Sequence, residues 1–107
     1  MSDAARKFTG ETEATILVVD DDIMLRKLLS HTLEEAGFRV LTANDGQEGL
    51  RTMFESHPDL LLLDVSMPNM DGWTMCQRVR EVSNIPIIML TGEKHVDKIK
   101  GPRAGRG

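Results

Sequence analysis

The stretch Ile16-Leu17-Val18-Val19-Asp20-Asp21-Asp22 decides how the rest of the chain is read. Four apolar residues, rich in β-branched side chains, stop abruptly at three carboxylates. An unbroken apolar run, rather than an alternating one, fits a strand covered on both faces, as in a parallel sheet. Leu60-Leu61-Leu62-Leu63 repeats the form and also ends in a carboxylate, Asp64. Ile85-Pro86-Ile87-Ile88-Met89-Leu90 is a third such run and ends at Thr91-Gly92. Arg39 to Ala43 reads as the remaining strand, and Ala43 brings no chemistry to its end.

Helical periods fill the gaps between these runs. Leu25, Leu28, Leu29 and Leu33 recur at helical spacing, with Asp22 as N-cap and Gly37 as stop. Asn44-Asp45-Gly46 has the composition of a turn. It precedes a helix carrying Leu50, Met53 and Phe54 on one side, closed by Pro58. Pro68, Asn69, Asp71 and Gly72 form a loop into a third helix, with Trp73, Cys76, Val79 and Val82 at helical spacing. Strands separated by helices of about 10 to 15 residues imply right-handed crossovers and an α/β fold on a parallel sheet. Such sheets bind ligands beyond the carboxyl ends of their strands. Asp20, Asp21, Asp64 and Thr91 all fall there.

Composition narrows the function classes. The chain has 107 residues, 40% of them hydrophobic, enough for one domain and not two. Thirteen Lys and Arg against 17 Asp and Glu give a net charge of −4, which does not suit a basic nucleic-acid surface. No apolar run approaches the roughly 20 residues of a membrane span. The first residues, MSDAARKFTGETEA, have no apolar core of a secretory signal. A lone cysteine, Cys76, makes neither an intramolecular disulfide nor a cysteine zinc site, so a reducing cytoplasm is expected. Residues 1–15 are expected to be a flexible tail, 16–101 the domain, and 102–107 an irregular tail.

Single aspartates after strands commonly cap helices or start turns, and Asp22, Asp45 and Asp71 are assigned that task. Asp20, Asp21 and Asp64 differ because two strands of one sheet would bring them within a few ångströms. Like charges that close repel one another unless a cation neutralises them. Hard oxygen donors without His or Cys favour Mg²⁺ over zinc. His31, His57 and His95 lie on or beside helices and are given no role. A cation held by a few protein oxygens keeps positions open for a phosphoryl oxygen, the arrangement that serves phosphoryl transfer. Asp64 is the candidate nucleophile, with Asp20 and Asp21 on the metal and the Thr91 hydroxyl on a phosphoryl oxygen.

ILVVDDD at 16–22, NDGQEGL at 44–50, LLLLDVSMPNMDG at 60–72 and PIIMLTG at 86–92 together resemble the receiver domain of two-component response regulators. The resemblance runs from about residue 15 to residue 105. It implies a flavodoxin-like doubly wound sheet of strand order 2-1-3-4, with the fifth strand and helix of the family missing. It further implies that Asp64 accepts phosphate from a histidine kinase or phosphotransfer protein. Asp20, Asp21, Asp64 and the backbone carbonyl of Ser66 would hold Mg²⁺, and Thr91 would sense the phosphoryl group. The fifth-strand lysine of the family has no counterpart. Lys94, Lys98 and Lys100 precede its place, and Pro102 would break the fourth helix.

With no fifth strand, the fourth becomes an apolar edge, and self-association along it is expected. Phosphorylation is expected to be slower or poorly coupled without the lysine. Two other readings stay open beside the phosphoacceptor: an interaction module that works without phosphate, or a fragment of a longer regulator. A metal-dependent phosphatase with an Asp nucleophile fits less well, because the chain is short for a substrate-covering cap.

Overall fold

The computed structural model describes residues 13–67 and 70–90. Four strands, β1 (Thr15–Val19), β2 (Arg39–Ala43), β3 (Leu60–Asp64) and β4 (Ile87–Leu90), alternate with helices α1 (Ile23–Glu35), α2 (Gly46–Ser56) and α3 (Gly72–Arg80). The strands form one parallel sheet in the order β2-β1-β3-β4, the expected flavodoxin-like arrangement.

The two central strands explain the unbroken apolar runs. Alternate residues of a strand point to opposite faces. Leu17, Val19, Leu61 and Leu63 therefore join Met53, Met75 and Val79 of α2 and α3 in one buried cluster. Ile16, Val18 and Leu62 meet Leu29 and Leu33 of α1 on the other face. Both faces are covered, so neither strand can alternate with polar residues.

The helix ends follow local chemistry. Asp22, Asp45 and Asp71 are the N-caps of α1, α2 and α3, each accepting a backbone amide of its own first turn. After α1, Gly37 takes φ 101°, the left-handed conformation that ends helices. α2 ends at Ser56, with His57 left-handed ahead of Pro58.

Five details depart from the sequence reading. β1 begins at Thr15, one residue early, because Ala14 already accepts from Arg39 and Thr15 from Asp59 across the sheet. β4 begins at Ile87 rather than Ile85: the Ile85 amide turns to the Ser83 hydroxyl, and Pro86 has no amide to donate. Leu28 is 60% exposed, while Leu29 and Leu33 face the sheet. In α3 the inward residues are Gly72, Met75 and Val79; Trp73 is 50% exposed, and Val82 lies past the helix end and is 66% exposed. Phe54 is likewise half exposed beside the buried Met53. Of the expected N-terminal tail, residues 1–12 lie outside the described residues, while Ala14 is buried and Thr15 belongs to β1; the expected C-terminal tail, Thr91, Lys94, Lys98, Lys100, His95 and Pro102 also lie outside them. The expected self-association along β4 depends on these latter residues.

Candidate functional site

The register of β1 and β3 pairs Val19 with Leu63, so the next residues along, Asp20 and Asp64, leave the sheet side by side. Both are completely buried, and Asp21 is exposed beside them. One carboxylate oxygen from each of the three lies within 4.8 Å of the others. The three acidic residues singled out from the sequence thus converge at the carboxyl edge of the sheet.

Each buried carboxylate is held by the turn that follows it. Asp20 Oδ1 accepts the Asp22 amide at 2.8 Å, and Asp64 Oδ1 accepts the Ser66 amide at 3.1 Å. The Asp20 backbone bonds sideways to Ala43 of β2 through its amide, at 3.1 Å. Its carbonyl accepts Nη1 of Arg26, one and a half turns along, at 2.7 Å. Arg26 was not anticipated from the sequence; its place on the inner side of α1 shows only once the helix is docked. Charge-assisted bonds of this kind are stronger than neutral ones, so the guanidinium helps to fix the turn that carries Asp20 and Asp21.

Ser66 is half buried two residues beyond Asp64. The turn after Asp64 is closed by a bond from the Gly72 amide to the Val65 carbonyl at 3.0 Å. A Cβ on Gly72 would run into the Asp64 carbonyl oxygen and stand 2.9 Å from Val65 Cα. Only glycine lets the chain return so close to the phosphoacceptor candidate. Thr91, the fourth site residue expected, falls outside the described residues.

The donor set fits a small hard cation. In an octahedron with bonds of about 2.1 Å, ligand oxygens lie roughly 3.0 to 4.2 Å apart. Three carboxylate oxygens within 4.8 Å of one another need only a small adjustment to reach that geometry. Two buried carboxylates supply charge in a low-dielectric setting, and the exposed Asp21 leaves one side open to solvent. Among the described residues no helix is long and apolar enough to cross a membrane.

Known proteins agree with this geometry. Residues 16–105 match the response regulator receiver domain family. A probable transcriptional regulator, ycf27 of Cyanophora paradoxa, is 48% identical over 91 residues, 84% of this chain and 38% of its own length. The transcriptional regulatory protein AfsQ1 of Streptomyces coelicolor is 38% identical over 92 residues, 85% of this chain and 41% of its length. The chain therefore spans about two fifths of these relatives. Among solved structures, the chemotaxis response regulator CheY4 of Vibrio cholerae superposes with a TM-score of 0.74 at 41% identity, covering 87% of this chain and 80% of that one. A receiver domain protein from Clostridium thermocellum gives a TM-score of 0.73 at 29% identity, with 86% and 75% covered. Sheet order, acidic cluster and sequence relationship coincide, and the chain belongs to the receiver domains of two-component response regulators.

Proposed function

We propose that this chain is a phosphoaccepting switch in which Asp64 takes a phosphoryl group from the phosphohistidine of a histidine kinase or phosphotransfer protein. The observation that carries the reading is the convergence of Asp20, Asp21 and Asp64 within 4.8 Å, two of them fully buried. In the reaction a carboxylate oxygen of Asp64 forms a bond to phosphorus as the bond from phosphorus to the donor imidazole nitrogen breaks. The imidazole nitrogen keeps the electron pair and takes up a proton. Mg²⁺ on Asp20, Asp21, Asp64 and the Ser66 carbonyl would offset negative charge on the phosphoryl oxygens. The Ser66 amide steadies Asp64 Oδ1, and Arg26 steadies the turn bearing the acidic pair. Thr91, the next residue in sequence after β4, would meet the phosphoryl group and report it.

The chain itself is regulatory rather than an enzyme acting on other molecules. Its relatives named as transcriptional regulators support a promoter as the eventual output. With a net charge of −4, these residues do not furnish the basic surface DNA requires, which assigns them the switch and not the contact. Two-component relays of this kind work in the cytoplasm, and residues 16–101 would form the switching unit.

The test is incubation with a small-molecule phosphodonor and Mg²⁺, followed by intact mass. The wild-type chain gains the mass of one phosphoryl group; Asp64→Asn and a magnesium-free sample do not. A gain that survives Asp64→Asn would overturn the assignment.

A further inference from the structure

We propose that Gly46 is a positioning residue for the Asp64 site, acting through Met70; this deepens the phosphoacceptor reading and rests on it. Gly46 opens α2, far from Asp64 in sequence, and carries no chemistry of its own. Its backbone does not need glycine: among the described glycines only Gly37 has a positive φ. What Gly46 provides is room. A Cβ there would stand 2.7 Å from the Met70 carbonyl oxygen, 2.8 Å from Met70 Cβ and 3.1 Å from Met70 Cγ. Carbon atoms pack at about 3.5 to 4.0 Å, so Met70 would have to move.

It has little space to do so. Two residues later Gly72 is pressed against the Asp64 carbonyl and Val65 Cα, and its amide is bonded to the Val65 carbonyl. The chain from Met70 to Gly72 is thus a shim between the first turn of α2 and the peptide that follows Asp64. α2 offers no relief. Asp45 caps the Glu48 amide at 2.9 Å while Glu48 Oε1 accepts the Asn44 amide at 2.7 Å, a reciprocal box that fixes the first turn. One turn on, the Cβ position of Gly49 already touches Val19 and Met75. A side chain at position 46 therefore displaces the turn that carries Asp64 and Ser66 relative to Asp20 and Asp21. Mg²⁺ demands near-ideal octahedral geometry, so it reads small displacements of that kind.

The experiment compares wild type, Gly46→Ala and Gly37→Ala by calorimetric titration with MgCl₂, alongside urea unfolding of each. Gly37 is the control: a Cβ there meets nothing within 4 Å, but φ 101° strains any other residue. Gly37→Ala should lose stability and keep its magnesium affinity. Gly46→Ala should bind Mg²⁺ about tenfold more weakly, as expected when a site is displaced by around half an ångström. Equal affinity of wild type and Gly46→Ala overturns the proposal while leaving the phosphoacceptor reading intact. A wild-type chain that takes up no Mg²⁺ overturns that reading and the proposal with it. Should Gly46→Ala not fold, the double variant with Met70→Gly, which removes two of the three close atoms and loosens the backbone, should fold again. Failure of that rescue also overturns the proposal.

Discussion

Asp64→Asn should make the metal-free chain more stable while removing the proposed phosphoacceptor. The carboxylate oxygens of Asp20, Asp21 and Asp64 lie within 4.8 Å of one another. At that separation two unit charges repel by about 3.5 kcal/mol at an effective dielectric of about 20, and by about 0.9 kcal/mol in bulk water. Asp64 faces two such neighbours, one buried and one exposed. Asparagine keeps an Oδ1 to accept the Ser66 amide, so that 3.1 Å bond survives in weaker, uncharged form. Taking the buried neighbour at the first figure and the exposed one at the second, and subtracting about 1 kcal/mol for the weakened bond, gives an expected gain of at most about 3 kcal/mol. Trp73, the sole tryptophan, lies next to the returning turn and reports urea unfolding by fluorescence. The midpoint in EDTA should rise in the variant with an unchanged slope. Mg²⁺ at ten times its dissociation constant should add about 1.4 kcal/mol to the wild type and less to the variant, closing the gap. A variant no more stable than wild type in EDTA, or a gap indifferent to Mg²⁺, would refute the idea that mutual repulsion is what the cation relieves.

Other substitutions probe the scaffold around the site. Asp71→Ala removes the acceptor of the Thr74 amide, a 2.8 Å cap, and should cost about 1 kcal/mol, measured as a lower urea midpoint. Met75→Ala empties a fully buried position between the sheet and the helices, so a loss of about 2 to 5 kcal/mol is expected in the same assay. His31→Ala breaks only an exposed i,i+4 contact with Glu35 at 3.2 Å, and the unfolding midpoint should stay within about 0.5 kcal/mol of wild type at neutral pH.

What the sequence reveals and what it hides divide along a physical line. Asp22, Asp45 and Asp71 are readable as caps because a cap bonds within its own helix turn. The apolar runs are readable as central strands because burial on both faces leaves no room for a polar alternate. Helix facing is harder. An α-helix advances about 100° per residue, so spacings of three drift backwards by about 60° each time. Trp73 falls on the side away from Met75 and Val79, which carry the inward stripe, and Val82 lies past the last helical turn. The same drift carries Leu28 out of the row formed by Leu29 and Leu33.

The site divides in the same way. Its carboxylates are legible because strand order alone brings the ends of β1 and β3 together. Their exact spacing is not, since it depends on contacts between segments far apart in the chain: Arg26 on the Asp20 carbonyl, Gly46 against Met70, Gly72 against Asp64. None of these residues bears the charge that marks a ligand for Mg²⁺, and two of the three are defined by having no side chain. The acidic residues supply attraction for a cation, but attraction without fixed distances does not select an ion that insists on its octahedron. If the cluster holds Mg²⁺ as proposed, its selectivity would belong as much to the glycines and the guanidinium that hold the turns as to the aspartates the turns present.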